Sequence, residues 1–184
     1  MKFVKIAFIA VLAFFVSSCL TVEKKKYNYE ITGKGTGTLT ITYINIFSQM
    51  DDSLDVSEED FDELINDYIN GTTIEDNYPL ATNIKKELYE ENGFLNAKVT
   101  MDFSSFDAAR LYQFDSKSPI CFNVGQTIDG ESFESSNGTL GNSDYMNVVF
   151  WPKKAKSLEV VTTIDTYDSE DCVSLVKQYR RWKN

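Results

Sequence analysis

From Phe94 to Phe103 the chain alternates without a break. Leu95, Ala97, Val99, Met101 and Phe103 fall on one face, and Asn96, Lys98, Thr100 and Asp102 on the other. A period of two marks a strand with one apolar and one wet face. A strand covered on both faces by crossover helices would read as a continuous apolar run instead. The segment therefore predicts an antiparallel sheet solvated on one side and excludes a doubly wound parallel one.

Other segments supply neighbours and a cover for that sheet. Tyr27 to Thr32 and Thr36 to Phe47 read as two strands, the second placing Leu39, Ile41 and Tyr43 opposite Thr38, Thr40 and Thr42. Gly33, Gly35 and Gly37 lie between them. Without the P-loop spacing and its Lys-Ser/Thr ending they predict a hairpin turn or bulge, not a phosphate cradle. Phe61, Leu64, Ile65, Tyr68 and Ile69 form the stripe of an amphipathic helix, with Ser57 at the N-cap, Asp60 completing an approximate capping box and Asn70-Gly71 as the stop. A second helix is expected over Asn83 to Glu91, stopping at Asn92-Gly93, and a short one from Ser105 to Tyr112. Ile120 to Val124, Tyr145 to Trp151 and Ser157 to Ile164 read as strands, with a polar loop or ragged hairpin from Gly125 to Asp144. A final amphipathic helix is expected from about Ser169 to Trp182, its stripe being Cys172, Leu175, Val176, Tyr179 and Trp182. The fold class is α+β: an antiparallel β-sheet with helices packed on one face, as a single domain over residues 27 to 184.

The first nineteen residues carry a different message. Lys2 and Lys5 give a positive start, the eleven residues Ile6 to Val16 are all apolar, and Val16-Ser17-Ser18-Cys19 closes the run. As a helix those eleven residues span about 16 Å, at roughly 1.5 Å each, against a hydrocarbon core of about 30 Å. That pattern is a secretory signal and not a span; a signal anchor and a plain secretory signal cut elsewhere are the alternatives. The closing four residues resemble the lipobox of bacterial lipoproteins. The resemblance implies a signal peptide over 1 to 18, cleavage between Ser18 and Cys19, and a diacylglycerol thioether with an acylated amine on Cys19. More than one acyl chain gives durable anchoring. Leu20 follows the cysteine in place of the aspartate that retains many lipoproteins at the inner membrane, which favours the outer membrane of a bacterial envelope. Residues 19 to 26 then read as a lipidated tether. Lys24-Lys25-Lys26 within it is expected to be solvated, or to sit against anionic headgroups.

With Cys19 lipidated, Cys121 and Cys172 remain. In an oxidising envelope they form a candidate disulfide; two buried thiols are the alternative. The formal net charge is −10, and two units more negative once Lys2 and Lys5 are removed. Such a surface repels phosphate and argues against nucleic acid as a partner.

The chain has no histidine. Ser-His-Asp and Cys-His sites are excluded, as are histidine-ligated metal centres. Any acid–base work would fall to carboxylates, Lys or Tyr. The 28 acidic residues offer many accidental carboxylate pairs, and no motif selects one as a hydrolase site. Asp51, Ser53, Asp55 and Asp62 have the offsets of a calcium loop, but Val56 stands where that loop needs glycine. No catalytic residue, metal or cofactor is therefore expected. Tyr145, Phe150, Trp151 and Tyr167 are candidates to line a glycan or lipid pocket, or to pack in the core. The Gly33 to Ile46 hairpin, the helix after it and the strand ending Val99-Thr100-Met101-Asp102-Phe103-Ser104-Ser105-Phe106 resemble the LppM-type envelope lipoproteins over residues 27 to 112. In that family a curved sheet with a helix is thought to bind lipid.

Together these readings lead to a non-enzymatic envelope lipoprotein, held to the membrane through Cys19, that binds a protein partner or is structural. The alternative is a lipoprotein holding a lipid or other apolar ligand in a pocket between sheet and helices.

Overall fold

The structure is a computed structural model that describes residues 19–51, 53–126, 130–141, 147–164 and 171–184. The signal segment, Ser18 included, lies outside them, as do Tyr145, Tyr167 and Ser169. Among the described residues the fold is mostly antiparallel sheet with a few helices. One sheet is built from β1 (Leu20–Ile31), β2 (Gly37–Gln49), β3 (Thr82–Glu91), β4 (Phe94–Phe103), β7 (Glu131–Ser136), β10 (Ser157–Ile164) and β11 (Cys172–Ser174). Its order is β3-β4-β2-β1-β10-β7, with β11 pairing the end of β2. The second sheet takes β5 (Leu111–Tyr112), β6 (Ile120–Asn123), β8 (Thr139–Leu140) and β9 (Val148–Trp151) in the order β5-β6-β9-β8. The helices are α1 (Ser57–Glu63), continued by a π-helical turn over Leu64–Ile69, then α2 (Thr73–Asn77) and α3 (Val176–Lys183).

The alternation of β4 does what it predicts. Its odd residues are buried and pair with β2 in the register Leu39↔Met101, Ile41↔Val99 and Tyr43↔Ala97. On β1 the buried residues are Lys25, Tyr27, Tyr29 and Ile31, which stand opposite Tyr43, Ile41, Leu39 and Gly37 of β2. These residues meet the second sheet in one apolar cluster. There Phe122 packs its ring against Tyr27 at 5.2 Å and Tyr29 at 6.3 Å between centroids. A second cluster joins Ile46, Leu95 and Ala97 to Phe61, Leu64 and Ile65 of the α1 segment and to Leu175, Val176 and Tyr179 of the C-terminal segment. Half-buried Tyr43 and Tyr68 touch both clusters.

Several expectations are corrected. Asn83 to Glu91 is strand, not helix. Asn92 and Gly93 have φ of 53° and 83° and turn the chain into β4, which makes them the two central residues of a hairpin. Leu20 to Lys26, expected as a tether, is the first part of β1, paired with β2 from Leu20 and with β10 as well from Lys24. The lysine run is accordingly fixed, Lys24 pairing with Glu134 and Lys26 with Glu159, each at 2.7 Å. The expected last helix begins only at Val176, because Cys172 to Ser174 extends the sheet. Ser105 to Tyr112 holds one 3-10 turn, Asp107–Ala109, after which Arg110 takes a left-handed φ of 55° and leads into β5. Ser57 is the first residue of α1 and not its cap; its N–H is taken by the Asp55 carboxylate at 3.0 Å, and its hydroxyl accepts from Gln178 at 2.8 Å.

Cys121 and Cys172 are not bonded to each other. Cys121 belongs to the second sheet, opposite Tyr112 and Phe150, whereas Cys172 stands beside Gln49 at the far end of β2 in the first. Burial raises the Cys121 thiol above its ordinary pKa, which keeps it protonated.

Candidate cavity at the junction of the two clusters

Where the clusters meet, the side chains do not close. They leave a cavity of about 190 Å3, lined by Leu20, Thr21, Val22 and Lys25 of β1, Tyr43 and Ile46 of β2, and Ala97 and Val99 of β4. Leu64, Tyr68 and Ile69 of the π-helical turn cover it, together with Ile74, Lys86 and Ile164. The wall is aliphatic and aromatic apart from Thr21 and the two lysines. A space of this size lined mostly by apolar groups suits hydrocarbon; an engineered apolar cavity of roughly 150 Å3 takes up benzene.

Two local features make the gap. The first is Asn45, whose φ of 54° interrupts β2 and whose N–H donates to the side-chain oxygen of Asn96 at 2.9 Å. Across this break the lining changes parity, from Lys25 and Tyr43 to Val22 and Ile46. The second is the π-helical turn, where the Asn70 N–H reaches back five residues to the Ile65 carbonyl at 2.9 Å. That widening carries Tyr68 and Ile69 over the cavity instead of into a closed core. Turns of this type are frequent at functional sites.

The two cations in the wall differ. Lys86 pairs with Glu75 at 2.6 Å and donates to the Gly71 carbonyl at 2.7 Å. Lys25 is 4% exposed, with its ammonium 3.8 Å from Glu131 and 6.0 Å from the centre of the Tyr43 ring. Burial lowers the Lys25 pKa against the opposing pull of Glu131. Burial also pushes the Tyr43 phenol well up, and that of Tyr78 in the first cluster up to about 12, so both stay neutral.

Cys19 adjoins this site. Its carbonyl accepts from the Gln49 N–H at 2.8 Å, and its backbone bonds the Asp60 carboxylate, which also accepts from Ser48 at 2.6 Å. Asp60 is buried, and desolvation raises its pKa in spite of these two bonds. Cys172 stands on the other side of Gln49. With strands about 4.8 Å apart, Cys19 and Cys172 are too far apart to bridge, since disulfides need Cα atoms within about 7 Å.

Of the sequence candidates, Cys19 directly precedes Leu20, the first lining residue, while Cys121 is elsewhere. Trp151 is buried with its indole N–H on Asn137 at 2.7 Å, and Phe150 is half-buried; neither lines the cavity. Asp55 is engaged with Ser57, and no group of three or more Cys, Asp or Glu able to hold a metal occurs among the described residues. No described helix is long and apolar enough to cross a membrane. Lys25 is the site residue missed in the sequence; its parity with Tyr27 and Tyr29 was the available signal. Comparison with protein-family models, characterised proteins and solved structures finds no match to this chain.

Proposed function

We propose that the chain is a non-enzymatic lipoprotein of a bacterial envelope, anchored at Cys19 in the outer membrane, whose domain holds an apolar chain between its sheet and the helices on one face. The observation that carries this reading is the apolar cavity whose wall starts at Leu20, the residue after the expected anchor. The lipobox pattern of Val16 to Cys19 and the absence of histidine support it.

Two experiments test the two parts. Cys19→Ala, expressed from the full chain, is expected to move the protein from the membrane to the soluble fraction with its melting temperature unchanged. A variant that stays on the membrane removes the anchor from the reading. Ala97→Leu places extra carbon atoms in the cavity. It is expected to leave the melting temperature equal or higher, because it fills space, and to lower retention of 1-hexadecanol by about tenfold or more. Native mass spectrometry of the full chain released from detergent reads that retention. Equal retention by both proteins removes the cavity as the binding site.

A protein partner is the second reading, and Tyr112 and Phe114 favour it. They are 62% and 79% exposed and lie at β5, an edge strand of the second sheet. Exposed aromatics at a sheet edge are a common anchor for another chain.

A further inference from the structure

Lys25 distinguishes this cavity from a purely apolar one. Its ammonium has three N–H donors. The carboxylate oxygen facing it, Glu131 Oε2, is 3.8 Å away, at the long end of an ion-pair contact. The other oxygen of Glu131 accepts from the Tyr27 hydroxyl at 2.9 Å and the Thr162 hydroxyl at 2.5 Å. The Lys25–Glu131 ion pair is therefore a long one, and a carboxylate brought closer to the ammonium would form a stronger charge-assisted contact. Lys86, at another point of the wall, already has its carboxylate and carbonyl in close contact.

The charge balance points the same way. Among the described residues, Arg110, whose guanidinium lies 4.5 Å over the ring of Tyr78, also acts on Lys25. Arg110 thus adds to the positive potential at Lys25, which favours a ligand carrying a negative charge. The volume limits what can carry that charge. About 190 Å3 accommodates part of one hydrocarbon chain and leaves no room for a second. A two-chain phospholipid could place at most one of its chains there.

We propose that the cavity takes a single-chain aliphatic carboxylate, with its chain against Ile46, Leu64 and Val99 and its carboxylate on the Lys25 ammonium. This rests on the reading of the cavity as an apolar-ligand site and names the class of ligand. No covalent step is involved.

The test compares hexadecanoic acid with 1-hexadecanol, which differ at the head alone. The full chain is incubated with an equal concentration of each and examined by native mass spectrometry. The expected result is at least about tenfold greater retention of the acid, the worth of a charge-assisted hydrogen bond in a buried site. Lys25→Met is expected to abolish that preference while still retaining the alcohol, and Lys25→Arg to keep it. If Lys25→Met fails to fold because Glu131 is left unpaired, Lys25→Met with Glu131→Gln removes both charges and serves in its place. Equal retention of acid and alcohol by the native chain overturns the carboxylate proposal and leaves the apolar site standing. A preference that survives loss of Lys25 overturns the assignment to this residue. Retention of neither molecule overturns the cavity reading itself, and this proposal with it.

Discussion

Phe122→Ala is expected to destabilise the fold by about 3–5 kcal/mol, the range for deleting a buried aromatic ring. Phe122 is 1% exposed and is the contact through which the second sheet meets Tyr27 and Tyr29 of the first. Truncation removes the ring's own burial and leaves a hole that two stiff sheets cannot close. Domains are commonly stable by only about 5–15 kcal/mol, so the loss is a fifth or more of the total. At this chain length it corresponds to a fall of roughly 10–15 °C in melting temperature. Tyr112→Ala, on a neighbouring strand but 62% exposed, provides the control; a surface truncation of that kind changes stability by about 0.5 kcal/mol or less. Thermal melts of the two variants check both values. Similar melts would mean that the second sheet does not pack on the first as described.

Gly37→Ala is expected to cost about as much, for a reason unrelated to burial energy. Gly37 opens β2 and pairs with Ile31 of β1 and Phe103 of β4. A Cβ there would overlap the backbone carbonyl oxygen of Glu30 and lie 2.8 Å from Cζ of Phe103. Phe103 could turn aside, but the Glu30 carbonyl belongs to the same hairpin. Relief requires the strands to separate at their tightest point. Overpacking of a close-packed site usually costs about 1–3 kcal/mol, and a backbone clash held by two neighbouring strands belongs at or above the upper end. Gly93→Ala makes a useful comparison. It has open space around its Cβ position but a φ of 83°, so its penalty comes from backbone conformation alone. Denaturant midpoints for the two variants separate steric from conformational cost.

The sequence was most readable where one physical rule dominated. β4 and β10 come out with the expected boundaries, because an uninterrupted period of two leaves a single choice of faces. The α1 segment follows from its apolar stripe, although its capping and its π-helical turn do not. Residues 83 to 91 misled because an edge strand faces water and carries Lys85, Lys86, Glu87, Glu90 and Glu91, residues that also suit an exposed helix. The Asn92-Gly93 pair fits a helix stop and a hairpin equally well when read locally; only pairing with β4 decides. Cys172 to Ser174 is three residues long and becomes a strand because the end of β2 offers it a partner.

The cavity was not readable in this way. Its wall gathers residues from Leu20 to Ile164, and an unfilled volume is a property of their assembly rather than of any one segment. Lys25 is instructive here. In a run of three lysines it resembles its neighbours, yet its parity with Tyr27 and Tyr29 sends it inward while Lys24 and Lys26 stay half-exposed at the surface.

The strand that begins at Leu20 also sets how the body would stand on a bilayer. With acyl chains on Cys19, there is no slack between the fatty root and the first hydrogen-bonded rung, since Gln49 and Asp60 already grip that residue. A protein seated this way cannot swing on a leash as loosely linked ones do. If so anchored, it would present to the lipid the side that holds Leu20, where the hollow begins, and a hydrocarbon tail would pass from the leaflet into the protein with little passage through water.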